Sequence, residues 1–247
     1  MSPPLVFDRA LARRRLLRAR AGGFQPFLLD HAAAELGERL SGVTRPFHAA
    51  LDLASPGPQL GEALVASGRL AGCVRLAGLP EAGGPGVAVV AGDEEALPFA
   101  PGSFDVITTH HVMEHLRDPA DVMERLARWL KPDGVLYAAV PNMATTGKPP
   151  HERFHFAHVH GFVRETFDLT ARRAGMVPHD GYEREDTTVV YRKTDAPAVP
   201  LINPGLATRL AAELKPMPAG AYLASGAWIW PMVRRNAKAV RETFSAR

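Results

Sequence analysis

The chain has one cysteine in 247 residues, and a lone thiol cannot close an intramolecular disulfide. A single Cys73 in a strand-like segment reads as a buried, inert thiol and fits a reducing compartment, so the expected location is cytoplasmic. No stretch approaches the ~20 apolar residues that cross a bilayer. The N-terminus lacks the apolar core of a secretion signal, and neither internal repeats nor low-complexity tracts occur. What the N-terminus does carry is arginine: Arg9, Arg13, Arg14, Arg15, Arg18 and Arg20. Such an acid-poor segment also has the look of an organelle transit peptide. Leu5, Leu11, Leu16 and Leu17 would line one face of a helix with the arginines on the other. That cationic face is either solvated or meets an acidic protein partner. Without aromatic interleaving or a recognised motif, no specific nucleic-acid binding is expected.

The remaining composition is that of a globular chain: 46% hydrophobic, 22% charged, net charge +3. The length suffices for one large α/β domain with appendages. The most informative stretch runs from Val87 to Val140. An apolar strand, Val87–Val90, ends in Gly92-Asp93. After the turn Leu97-Pro98-Phe99, a second strand, Phe104–Thr109, runs into His110-His111-Val112-Met113-Glu114-His115-Leu116. A helix (Ala120–Leu130), a turn (Lys131–Gly134) and a third strand (Val135–Val140) follow. Strand, turn, strand, helix, strand in this order predicts half of a parallel doubly wound sheet. Ligands of such sheets lie at the carboxyl ends of the strands, where Asp93 and His110 fall.

Gly92-Asp93-x-Glu95-x-Leu97-Pro98-Phe99, Phe104-Asp105-Val106, Glu114-His115-Leu116 and Leu130-Lys131-Pro132-Asp133-Gly134 together resemble the class I S-adenosylmethionine-dependent methyltransferases, in their small-molecule, type 11-like branch. The resemblance covers roughly residues 45–192. It implies a Rossmann-like, mostly parallel sheet of about 6–7 strands with helices on both faces, plus N-terminal helices and a helical C-terminal tail. The expected layout is an N-terminal helical segment (1–44), the Rossmann-like domain (45–193), and a linker with a helical extension (194–247). Phe7-Asp-Arg-Ala-Leu-Ala-Arg-Arg-Arg15 and Phe27-Leu-Leu are similar to the opening of methyltransferase-like proteins related to respiratory complex I assembly factors.

The resemblance implies S-adenosylmethionine as cofactor, with its loss as the alternative. Asp52, Leu53, Ala54 and Gly57 would lie near its methionine end, Asp93 and Glu94 near the adenine, and His110 along the pocket through its backbone. Asp93 could equally N-cap the turn that follows it. Three departures fall on one side of this pocket. Ala54 and Pro58 stand where the family has glycines that bring the backbone close to the ligand. Cys73–Pro80 has no acid at the strand tip for the ribose hydroxyls, Glu81 being the nearest. Only a glycine- and proline-rich stretch separates Leu76 from Val87, where a parallel crossover normally needs about a dozen residues.

Four histidines occur between His151 and His160, and the resemblance places this stretch on the acceptor side of the pocket. With His110, His111 and His115 they could surround one cavity as structural walls. A general base drawn from His115, His155 or His158 is the second option. Methyl transfer is an in-line displacement from a good leaving group, so aligning the acceptor and removing its proton is the work left to the protein. A metal ion is the third. His111, Glu114 and His115 are similar to the region where some quinone-pathway O-methyltransferases ligate a divalent cation, although a histidine at 111 suits zinc better than magnesium; no metal is assigned. Glu114 and His115 could also simply hold the turn after their strand. Finally, Ala221–Val233 is apolar, includes Trp228 and Trp230, and precedes a basic segment. It would dock on the main domain, a second subunit, a partner or a membrane surface.

The function expected is methyl transfer from S-adenosylmethionine to a small-molecule acceptor. The alternative is an inactive methyltransferase-fold protein acting as a binding or assembly module through its basic N-terminus or Trp-bearing tail.

Overall fold

The computed structural model describes residues 9–23, 26–97, 99–144, 158–179, 187–195, 204–213, 219–224, 226 and 229. Seven strands form one sheet in the order β3-β2-β1-β4-β5-β7-β6. They are β1 (Phe47–Asp52), β2 (Leu70–Ala77), β3 (Val87–Ala91), β4 (Phe104–His110), β5 (Leu130–Ala139), β6 (Met176–Pro178) and β7 (Thr188–Lys193). The first five run parallel, while β7 is antiparallel to both β5 and β6. The α/β, mostly parallel expectation holds. β1 leads to β2 on one side and neighbours β4 on the other, which makes the β1/β4 border the topological switch point where such sheets bind ligands.

Two layers of helix cover the sheet. Leu36 and Leu40 of α2 (Phe27–Ser41) and Leu60 and Leu64 of α3 (Gln59–Ala66) pack with Phe47, Ala50, Cys73 and Tyr137 in one apolar cluster. α4 (Pro119–Trp129) and α5 (Arg164–Arg173) bury Val122, Leu126, Trp129 and Phe167 in a larger one with Leu51, Ile107 and Leu136. α4 starts sharply because the Asp118 carboxylate accepts the amides of Ala120 (3.1 Å) and Asp121 (3.0 Å), with Pro119 at the first helical position. The Lys131–Gly134 stretch expected as a turn is instead the irregular start of β5, whose register against β4 shifts between Phe104 and Val106.

The expected difficulty of joining β2 to β3 is met without a helix. The two strands are parallel, Cys73 beside Val87 and Ala77 beside Ala91. The return along the strand is only about 13 Å, well within the ~30 Å that residues 78–86 reach when extended. Glycine makes the tight part feasible: Gly86 has φ +71°, and a Cβ there would come within 2.8 Å of Val65.

Before β1, α1 (Arg9–Ala21) precedes α2. The chain divides into two compact units, Met1–Asn142 with Ala157–Leu201, and Met143–Phe156 with Ile202–Arg247. The second holds two short helices, α6 (Leu206–Glu213) and α7 (Ala219–Ala224). No helix among the described residues is long and apolar enough to cross a membrane.

Candidate cofactor and acceptor site

β1 carries Asp52 to the switch point with its side chain fully buried. Its Oδ1 accepts the Ser55 hydroxyl and lies 3.4 Å from Thr108 Oγ1. Burial raises the Asp52 carboxyl to about 6, with the Ser55 hydrogen bond and the Arg75 charge pulling the other way. Leu53 is buried behind the tip. Ala54 then takes φ +60°, a left-handed conformation that glycine adopts freely and alanine only at a cost. Ala54 stands where the resemblance expects a glycine, and its backbone makes the turn a glycine would make. Pro58 causes no clash. It stands at the start of α3, where a missing N–H is no loss, and its carbonyl accepts the Glu62 amide at 2.9 Å. Gly57 is buried, and a Cβ there would approach Leu29 Cδ1 to 3.2 Å.

Among the described residues only one other non-glycine has a positive φ, His111 at +56°. It follows the tip of β4, next to β1. Ala54 and His111 line the same cavity, about 210 Å³, together with Ser55, Glu94, Val112 and His115. Two strained residues on adjacent strand tips facing one cavity is the pattern of a functional site.

The β2 side is rebuilt. Ala77 stands at the strand tip, and two residues earlier Arg75 turns a guanidinium into the interior, only 2% exposed. Its Nη1 donates to the Ser55 carbonyl at 3.1 Å, and it forms an ion pair with Glu81, which also pairs with Arg20 of α1. Glu81 is thus held between two arginines. α1 crosses the mouth of the site: Leu16 and Arg20 line the cavity. A second cavity of about 110 Å³, lined by Arg13, Gly92 and Asp93, shares Leu16, Gly78 and Glu94 with the first. Leu16 therefore divides one groove into two lobes. Asp93 Oδ1 accepts the Glu95 amide at 2.9 Å, the turn-capping role, while the residue also borders the second lobe.

On the acceptor side, a single 3₁₀ turn (Met113–His115) follows β4. The Glu114 carbonyl accepts the amides of Val159 (2.9 Å) and His160 (3.2 Å), which brings the chain after residue 157 back against this turn. His158 is thereby stacked edge-on to His115, ring centroids 4.9 Å apart. The Glu114 carboxylate is 1% exposed. Its Oε1 lies 3.2 Å from His111 Nδ1 and 3.8 Å from His115 Nε2, while Oε2 has no hydrogen-bond partner among the described residues. One ligand atom each from Glu114, His115 and His158 lie within 4.8 Å of one another, three corners of a tetrahedral zinc site in chemical type. His155 lies outside the described residues. His110 is half-buried and does not border the cavity; burial first, then neighbouring His111, lowers it to about 4.

Ala54, Glu94 and His115 thus meet at one cavity, with Asp93 beside it, while Asp52, Leu53 and Gly57 form its buried support. His111, expected as a pocket wall, lines it too; Ser55 and Arg75 complete the site without having been singled out, and Arg20 was expected only on a cationic helix face. The positive φ at His111 has no signature in residue type.

Residues 71–138 match the model of a methyltransferase domain family. The matched stretch runs from β2 to β5 of the Rossmann-like core and supports a likeness to the class I methyltransferases of the type 11 branch. A ubiquinone biosynthesis O-methyltransferase of Neisseria meningitidis is 36% identical over 62 residues, 25% of this chain and 24% of that protein. An uncharacterised 37.1 kDa protein of transposon Tn4556 from Streptomyces fradiae is 36% identical over 108 residues, 40% of this chain and 31% of its own length. The chain therefore spans under a third of the curated relatives it matches. In fold, a Listeria monocytogenes protein assigned as an S-adenosylmethionine-dependent methyltransferase superposes with a TM-score of 0.50 at 13% identity, covering 66% of this chain and 99% of the other. The cofactor that this likeness implies would meet the left-handed backbone turn at Ala54. It would also meet two lobes that separately fall below the ~300 Å³ of ordinary ligand pockets. Leu16 borders both lobes, so a ligand spanning the two would have to displace it.

Proposed function

We propose that this chain transfers the methyl group of S-adenosylmethionine to a small-molecule acceptor. The observation that carries the reading is the left-handed turn at Ala54, kept at an energetic cost in the one place where the family needs a close approach of backbone to ligand. The Ala54 turn would hold the methionine end, with Asp52 fixing the loop through Ser55 and Thr108. Asp93 and Glu94 would border the adenine end. When bound, the cofactor supplies an electrophilic methyl on a sulfonium, a leaving group that needs no protonation. What remains for the protein is to align the acceptor and accept its proton. His115 would take that step: it lines the cavity, with the buried Glu114 carboxylate 3.8 Å from its Nε2. His158, against its ring, would steady it, and His155 stays in the proposal as a further acceptor-side base. A cytoplasmic location belongs to the same proposal and rests on the buried lone thiol of Cys73.

Calorimetric titration with S-adenosylmethionine and its demethylated product tests this, with a thermal-shift check, since a ligand of the folded state raises its stability by mass action. Micromolar binding sends the work on to acceptors. No binding at millimolar concentration overturns the proposal.

One observation favours a second reading, a methyltransferase fold that has become a binding or assembly module. α1 sits in the groove with Leu16 between its lobes and Arg20 tied to Glu81. If that helix never leaves, the site is closed, and the basic N-terminal segment and the Trp-bearing tail are the surfaces left to meet a protein.

A further inference from the structure

The turn after β4 holds a carboxylate with one oxygen unaccounted for. Glu114 is 1% exposed, and its Oε2 has no hydrogen-bond partner among the described residues. No lysine or arginine pairs with this acid among the described residues; its ion-pair neighbours are the imidazoles of His111 and His115. A carboxylate taken out of water costs free energy unless it is paired, fully hydrogen-bonded or bound to a metal. The chain keeps this acid in the interior with an oxygen still to be satisfied.

Two imidazoles from different parts of the chain face it. His115 follows Glu114 directly, while His158 arrives after α4 and β5. The Glu114 carbonyl holds the returning chain by accepting the amides of Val159 (2.9 Å) and His160 (3.2 Å). The rings of His115 and His158 then meet edge-on, centroids 4.9 Å apart. One ligand atom from each of Glu114, His115 and His158 lies within 4.8 Å of the other two. Around a zinc ion with bonds of ~2.0–2.2 Å, tetrahedral ligands stand ~3.4 Å apart. The three atoms therefore need to close by little more than about 1 Å, which side-chain rotation supplies. His111 Nδ1, 3.2 Å from Glu114 Oε1, stands outside the three as the partner that orients the carboxylate. His115 also lines the cavity of about 210 Å³, which gives an ion its entrance and a water its place as fourth ligand.

The donor set decides the kind of ion. Two imidazole nitrogens and one carboxylate oxygen suit zinc and its transition-metal neighbours, whereas magnesium and calcium take oxygen ligands. We propose that Glu114, His115 and His158 bind one divalent ion of the zinc class, which ties the chain at His158 to the turn after β4. The site does not rest on methyl transfer. It meets that reading only at His115, which as a ligand cannot at the same moment accept a proton.

The full-length protein, untagged and stripped with a chelator, is titrated with zinc chloride by calorimetry. No cofactor is present, so failure here and failure of the methyl-transfer reading are told apart. One ion per chain is expected, with Kd below about 1 µM. Cobalt(II) in its place should give the strong visible absorption of low coordination rather than the pale spectrum of the hydrated ion. Glu114→Gln and His158→Ala should each weaken zinc at least about tenfold. His48→Ala, at an exposed position of β1, should leave it unchanged. In the wild type the imidazole signals of His115 and His158 should move on adding zinc and that of His48 should not, which locates the ion even if a variant folds poorly. No binding at about 100 µM zinc, unchanged affinity in both variants, or zinc that shifts His48 and leaves His115 and His158 in place would each overturn the proposal.

Discussion

Ser55 gives its hydroxyl to a carboxylate of Asp52 that is fully shielded from water. The pair closes the β1 tip from behind, so the loop carrying Ala54 is fixed by an acid whose charged form is poorly solvated. The sign of the resulting pH dependence follows. The folded-state value, about 6, is above the ordinary 3.8, so the native state binds more protons than the unfolded one between these values. This group's contribution is therefore fully present below pH about 4 and lost as pH rises to about 6, on the order of 3 kcal/mol in all. Asp52→Asn should remove that loss. Denaturation of both proteins at pH 4 to 7 checks it: the variant should gain on the wild type across the window, and parallel curves would refute the account.

Ala54→Gly tests the strained turn. A left-handed alanine costs about 1–2 kcal/mol, and glycine's extra chain entropy offsets about 0.5–1 kcal/mol of the gain from relieving it. The variant should be more stable by up to about 1 kcal/mol and should bind S-adenosylmethionine at least as tightly. Urea unfolding and calorimetry read the two effects. Pro58→Gly should add nothing, because Pro58 sits comfortably at the start of α3.

The fold was legible because its signals are local. The apolar run Val87–Val90, the strand Phe104–Thr109 and the helical segment from Ala120 each name an element without reference to the rest. The site was legible only in part. Glu94 and His115 sit in motifs next to strand tips and reach the cavity. Arg75 lies inside a strand, Glu81 in a loop and Arg20 on an N-terminal helix, so their ion pairs join residues far apart in the chain. No periodicity encodes such a contact. The His110-His111 pair shows the same limit: type and position are alike, and the backbone turn alone sends His111 to the cavity and leaves His110 aside.

His115→Ala should lower the rate of methyl transfer by about 10²–10⁴ while leaving cofactor affinity nearly unchanged, the separation expected of a general base. His158→Ala should cost less, since that ring meets His115 edge-on. Equal loss of binding and rate in His115→Ala would instead mark a structural wall. Glu114→Gln distinguishes further. Its neutral amide removes the negative charge beside His115, so the rate should fall while cofactor affinity stays nearly unchanged.

The groove divided by Leu16 yields the decisive comparison between the catalytic and the module readings. Leu16→Ala removes the side chain that borders both lobes, and Arg20→Gln removes α1's tie to Glu81. Neither residue is in the packed sheet core, so stability should change by less than about 1 kcal/mol. If α1 covers a working cofactor site, each variant should bind the demethylated cofactor more tightly, by about three- to tenfold together, because less of the binding energy goes to displacing the helix. Titration calorimetry on the wild type, both single variants and the double variant gives the answer. Unchanged affinity would mean that α1 already moves freely. Absence of binding in all four would mean that the rebuilt β2 side, with Glu81 locked between Arg75 and Arg20, has closed the site for good.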